Sequence, residues 1–158
     1  MPQHFDDSFD NPERLSRRCY PHWLNEQIRW SDTDMAGHAN NLTFAAFCEA
    51  GRALILKDII HPDAANRGLL VLAEFRLRFL SEMHWPDVID IGTGISAVGK
   101  SSCVFAQALF LGGHCVAVAD SRLVLIDDNS RQSRPLTPEI LNVLARWKLE
   151  LFERGAAQ

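Results

Sequence analysis

Hydrophobic and polar positions change period several times along the chain, and each change marks an element. Asn25 to Trp30 reads as a first strand. From Asn41 or Leu42 the spacing becomes helical. Phe44, Phe47, Cys48, Gly51 and Ile55 follow i, i+3, i+4, i+7 steps, while Glu49, Arg52 and Lys57 fall elsewhere. Asn40 or Asn41 suits the N-cap, and Pro62 with Asp63 to Arg67 closes the region. Period two then takes over. Glu74, Arg76 and Arg78 alternate with Phe75, Leu77 and Phe79, which sets the arginines on the solvent face. Val88 to Val98 is a further strand, with Gly92 and Gly94 marking a bulge or a close backbone approach. Gly99-Lys100 turns the chain into Ser101 to Leu111, and Gly112-Gly113 turns it into His114 to Ile126. Thr137-Pro138-Glu139 opens a last helix with a cap, a proline and an acid, and Ile140, Leu144, Trp147 and Leu151 give it one apolar stripe.

The order is strand, long helix, four strands, terminal helix. It predicts an α+β fold in which an antiparallel β-sheet wraps around a long central α-helix, with a C-terminal helix added. One sheet of this size covers such a helix poorly, so a homo-oligomer is expected. Residues 1 to about 22, with Pro12 and Pro21, read as a polar N-terminal tail, leaving one domain over 23–153.

Composition narrows the function. A net charge of -4 lacks the basic field of a nucleic-acid protein. The uncharged run Ser101 to Ala119 approaches membrane-span length, but Gln107, Gly112-Gly113 and His114 inside it favour a buried hairpin, so no membrane partner is expected. Cys19, Cys48, Cys103 and Cys115 form no CxxC pair, so a zinc site is not expected, and no other metal is implied. If Gly112-Gly113 is a two-residue turn, Cys115 faces Phe110 rather than Cys103. Reduced thiols in a cytoplasmic protein are the expectation.

The candidate chemistry lies at Ser31 to Asn41, between the first strand and the helix. Asp32-Thr33-Asp34-Met35-Ala36-Gly37-His38-Ala39-Asn40-Asn41 resembles the loop Asp-x-Asp-x-x-Gly-His-x-Asn-Asn of hotdog-fold acyl-CoA thioesterases of the 4-hydroxybenzoyl-CoA thioesterase type. Phe44 matches the aromatic residue that opens their helix. Val98-Gly99-Lys100-Ser101-Ser102 and Pro135-Leu136-Thr137-Pro138-Glu139 resemble their later turn and last helix. The resemblance covers about Asn25 to Trp147. It implies a hotdog fold, acyl-CoA hydrolysis at sites on the interface of a homodimer or homotetramer, and no cofactor beyond the coenzyme A of the substrate.

The residue types fit that chemistry in their own right. Thioester hydrolysis needs a carboxylate nucleophile or a base that activates water, and donors aimed at the developing oxyanion. A carboxylate just before a helix N-terminus supplies both. The resemblance gives the catalytic role to Asp34; Asp32 is the competitor, and one intervening residue points the two in opposite directions. The Asn41 N–H is the candidate oxyanion donor, and Gly37 lets the loop turn tightly. His38 is a candidate helper. In plant acyl-carrier-protein thioesterases a matching histidine acts beside an asparagine, but Ala36 stands at that position here. Asn40 and Phe44 are candidate substrate contacts, and Lys100, Ser101 and Ser102 are candidates for the coenzyme A phosphates. Arg76, Arg78, Arg122, Arg131 and Arg134 are further sources of positive charge. Glu49 reads as a surface or supporting acid. An acyl-carrier protein as the thioester carrier, and a non-catalytic acyl-thioester-binding protein, are the competing readings.

Overall fold

The computed structural model describes residues 7–60 and 68–152. The break expected at Pro62 to Arg67, the first six residues and the end of the expected domain lie outside the described residues. Five strands form one antiparallel sheet: β1 (His22–Gln27), β2 (Leu69–Phe79), β3 (Val88–Val98), β4 (Ser102–Leu111) and β5 (His114–Ile126), in the order β1-β3-β4-β5-β2. Helix α1 (Asn41–Leu56) lies against the inner face, and α2 (Pro138–Arg146) closes the far end of the same core. This is the hotdog arrangement of an α+β fold.

The helical stripe read from the sequence is the buried one: Phe44, Phe47, Cys48, Gly51 and Ile55 all face the sheet. Gly51 sets how close the helix comes. A Cβ there would lie 2.8 Å from Ile91 and 2.9 Å from both Thr93 and Gln107. Gln107 Nε2 donates to the Cys48 carbonyl at 2.7 Å and to Thr93 Oγ1 at 3.1 Å, so a polar contact fixes where α1 rests on an otherwise apolar bed. Arg52, expected on the polar face, is buried instead. It donates to Ser121 Oγ at 3.0 Å and lies over the Phe75 ring, and burial lowers its pKa from the usual value.

Several boundaries move. β1 begins and ends earlier than Asn25 to Trp30, because Trp30–Asp32 forms a 3-10 turn that sends the chain towards α1. β2 begins at Leu69, extended by its pairing with β5. Ser101 stays outside β4, its carbonyl taken by the Leu125 N–H. Gly92 and Gly94 are close approaches, to Tyr20 and Leu149, and the β3 irregularity falls just beyond them at Ile95/Ala97. Thr137 caps α2 with Pro138 in its first turn, but the helix ends at Arg146, so Leu151 lies past it and exposed.

The larger correction concerns the expected tail. Residues 7–20 form three 3-10 turns packed on the outer face of the sheet, with Phe9, Cys19 and Tyr20 buried against Ala106, Ala108, Phe110 and Val118. Arg14 is fully buried. It donates to Asp120 Oδ1 at 2.9 Å, the Ala119 carbonyl at 3.0 Å and Tyr20 Oη at 3.0 Å. Arg76 stacks on the Phe9 ring at 3.8 Å and Arg78 pairs with Asp10, so the supposed solvent face of β2 is partly covered.

The four cysteines are free, and Cys115 faces Phe110 across the β4–β5 hairpin. Burial pushes the Cys48 and Cys103 thiols up to about 12 and that of Cys115 up to about 11. No helix among the described residues is long and apolar enough to cross a membrane.

Candidate active site

The chain leaves β1 through the 3-10 turn, and Asp32 organises the loop beyond it. Its carboxylate accepts the Arg29 backbone N–H at 2.7 Å and pairs with the Arg29 guanidinium at 3.0 Å. Its carbonyl accepts from Asn40 N–H and Thr43 Oγ1. The hydrogen bond from Arg29 holds the Asp32 carboxyl below the usual carboxylate range, against the opposing effect of burial. Asp32 is thereby committed to shaping the loop, and Asp34 takes no part in that ion pair.

Residues 33–39 form a tight reversal. Thr33 and Ala39 bridge antiparallel, Asp34 N–H donates to the His38 carbonyl at 3.1 Å, and Gly37 N–H donates to the Asp34 carbonyl at 3.0 Å. Gly37 sits at φ +83°, in the left-handed region that glycine enters without steric cost. Asp34 Oδ1 accepts the Ala36 N–H at 2.8 Å, which fixes the carboxylate while Oδ2 faces His38 Nδ1 at 3.9 Å. Asp34 is exposed.

Asn40 is the helix N-cap, its Oδ1 accepting the Leu42 N–H at 2.9 Å, and its carbonyl accepts the Thr43 N–H. Among the described residues the Asn41 N–H between them has no hydrogen-bond partner. An unsatisfied N–H at the positive end of a 16-residue helix is suited to an oxyanion.

The other candidates are differently placed. Phe44 is 3% exposed and packs edge-on against Phe79 at 5.0 Å, so its ring is used in the core. Glu49 is exposed on α1. The Lys100-Ser101-Ser102 turn is not beside the loop. Gln27 pairs with Val88, whereas Val98 pairs with Cys103, so loop and turn sit at opposite ends of β3, about 35 Å apart for its 11 residues. The Lys100 carbonyl accepts from Leu136 N–H and ties the turn to the approach to α2. The five arginines considered for phosphate do not converge: Arg76 and Arg78 lie beside Asp10, Arg122 beside Glu74, Arg131 beside Asp128 and Arg134 beside Asp127. Among the described residues no group of three His, Cys, Asp or Glu side chains is placed to hold a metal ion.

Sequence reasoning missed the other wall of the loop, the connection between β2 and β3. The Met83 carbonyl accepts the Ala39 N–H at 2.7 Å. His84 Nδ1 lies 3.3 Å from the Gly37 carbonyl, and Glu82 lies between His38 (3.9 Å) and His84 (3.4 Å). Trp85 meets Trp30 edge to face at 5.5 Å. A hint was present in the sequence: Glu82, His84 and Trp85 cluster chemistry-bearing side chains in a short connection. Nothing local shows what that connection faces. Cavities of about 340, 470 and 380 Å³ surround α2 and the segment after it, and none is lined by the loop.

The fold recurs among known proteins. Solved structures of similar fold include a Pseudomonas aeruginosa protein (23% identity, TM-score 0.76, 84% of this chain and 95% of that one). A Thermus thermophilus thioesterase complexed with coenzyme A and Zn is 24% identical, with TM-score 0.70 over 79% of this chain and 98% of that one. A 1,4-dihydroxy-2-naphthoyl-CoA thioesterase from Synechocystis is 17% identical, with TM-score 0.71 over 78% and 95%. The family model described as the thioesterase-like superfamily matches residues 28–144, which takes in the loop, both of its walls and α1. The chain belongs to the thioesterase-like superfamily and is a thioester hydrolase.

Proposed function

We propose that the chain hydrolyses an acyl-CoA to a free carboxylic acid and coenzyme A, with Asp34 as nucleophile or general base. The observation that carries this is the pairing of an exposed, oriented Asp34 carboxylate with an unpartnered Asn41 N–H at the start of α1. As nucleophile, Asp34 adds to the thioester carbonyl carbon and expels the thiolate, and water then hydrolyses the mixed anhydride. As base, it takes a proton from a water whose oxygen adds to the same carbon, and the departing thiolate is protonated. In both courses charge builds on the carbonyl oxygen, where the Asn41 N–H and the α1 dipole stabilise it. The coenzyme A bound to the Thermus thermophilus thioesterase, and the CoA substrate in the name of the Synechocystis enzyme, support CoA as the carrier.

The working unit in this reading is a homo-oligomer built on a dimer. β2 is a sheet edge, bonded to β5 on one side, and Leu69, Leu72, Phe79 and Leu80 are 37–49% exposed along it. Two copies joined across β2 by a two-fold axis run their strands in opposite directions. The partner's Lys100-Ser101-Ser102 turn then lies at the same end of the joint sheet as this chain's loop, where its lysine and serines can meet the coenzyme A phosphates.

Purified protein assayed against short, long, branched and aromatic acyl-CoAs, with released thiol as the readout, tests the proposal. Asp34→Asn and Asp34→Ala are expected to lower kcat at least ~100-fold. Sedimentation is expected to give at least twice the 17.8 kDa chain mass. Wild-type rates in both Asp34 variants would sink the assignment.

A further inference from the structure

The connection from β2 to β3 carries two polar side chains aimed at the loop and one apolar side chain aimed away from it. Met83 is fully buried in the core beneath α1, and its carbonyl holds the Ala39 N–H, so the connection is pinned at its centre. Glu82 and His84 flank it and point the other way, as neighbours in extended backbone do. Glu82 Oε1 is 3.9 Å from His38 Nε2, Glu82 Oε2 is 3.4 Å from His84 Nε2, and His84 Nδ1 is 3.3 Å from the Gly37 carbonyl. His38 Nδ1 in turn faces Asp34 Oδ2. Polar groups 3.3–3.9 Å apart therefore succeed one another from the loop apex through His84, Glu82 and His38 to Asp34.

Two considerations give this series a purpose. Glu82 and His84 are both more than half exposed, and ion pairs of that kind add little to stability, so folding alone does not require them. His38 faces Asp34 of its own loop through Nδ1, and its Nε2 is turned across the site. Glu82 reaches it from across the site.

We propose that Glu82 and His84 are positioning residues: Glu82 orients the His38 ring beside Asp34, and His84 holds the apex of the loop through the Gly37 carbonyl. His84 acts as donor there, because a carbonyl oxygen only accepts. The effect on turnover rests on the thioesterase reading of Asp34; the support of the loop does not. Holding a reacting group in place acts on the chemical step more than on binding.

The test combines steady-state kinetics with amide hydrogen exchange. Glu82→Ala and His84→Ala are each expected to lower kcat about tenfold with KM within about twofold. His84→Asn, whose side-chain N–H stands near the position of Nδ1, is expected to recover most of the His84→Ala loss. The Glu82→Ala/His84→Ala double variant loses less than the product of the two single effects, because both act on one loop. The amides of Asp34 and Gly37, bonded within the loop, and of Ala39, bonded to the Met83 carbonyl, exchange faster in His84→Ala and regain protection in His84→Asn. Rates within twofold of wild type in both alanine variants, a change confined to KM, or a His84→Asn as slow as His84→Ala would each overturn the proposal. If wild type hydrolyses no acyl-CoA, the CoA reading falls and the exchange arm still decides this one: unaltered loop protection in His84→Ala refutes it.

Discussion

Two arginine–aspartate pairs of nearly equal length hold opposite sides of the molecule. Arg14–Asp120 spans 2.9 Å under the outer face with both side chains at most 1% exposed, and Arg29–Asp32 spans 3.0 Å at the loop with the arginine 76% exposed. In the first, both charges have left water. Burial works against the Arg14 charge, but Tyr20 and Asp120 outweigh it and leave the guanidinium pKa above its usual value. In the second, the guanidinium stays in water while the Asp32 carboxylate is largely covered, and the geometry of the turn matters more than the attraction. The same chemistry thus serves as a lock in one place and as a shaping contact in the other. The lock sits on the outer face of the sheet and the shaping contact in the turn that follows β1.

The largest effect expected from breaking this division is at the lock. Arg14→Met leaves Asp120 buried without its cation and is expected to cost about 3–5 kcal/mol in urea unfolding, with kcat of the remaining folded protein within about twofold. Arg14→Met/Asp120→Leu, which removes both charges, is expected to regain most of that loss. An Arg14→Met as stable as wild type would show that the outer segment is only resting on the sheet. At the loop, Asn40→Ala removes the α1 cap and is expected to cost about 1 kcal/mol in the same measurement, while kcat falls because the Asn41 N–H is displaced. Loss of stability with unchanged kcat would separate the cap from the site.

The smallest effect is acid dependence at Asp32. Its carboxyl titrates lower in the folded chain than the ordinary value of 3.8, first because of the hydrogen bond from Arg29. A depressed folded value contributes stability above the unfolded pKa, and that contribution is lost as pH falls through the folded one. The stability gap between wild type and Asp32→Asn is therefore expected to narrow below about pH 4. A gap that stays constant down to about pH 2 would mean that the charge of Asp32 does not matter to the turn.

Much of the fold could be read from hydrophobic period alone. β3 and β5 have the ends expected of them, α1 buries the expected stripe, and Cys115 faces Phe110. These features are local, and local spacing records them. The outer segment was hidden because Phe9, Arg14 and Tyr20 follow no helical or strand period, and an arginine reads as polar whatever it is buried against. The turn at Gly37, the carboxylate before it and the helix start at Asn41 were legible because the three are contiguous in sequence. Glu82 and His84 were not, since they meet the loop only after the sheet has folded. Phe44 and the Lys100 turn were matched by motif alone: Phe44 is buried at the base of the loop in one cluster with Ala39, and the turn lies at the far end of β3 within one chain.

The burial of the cysteines has a practical consequence at the bench. Cys19, Cys48 and Cys103 are buried, and the half-buried Cys115 titrates well above neutral pH, so the folded chain offers little thiolate to a trapping dye. Colour that develops during turnover then belongs to the leaving group of the substrate. Colour that develops in denaturant without substrate counts up to four protein thiols, and its rise reports the opening of the chain. One reagent can therefore follow both the reaction and the unfolding, without a label or an added tryptophan.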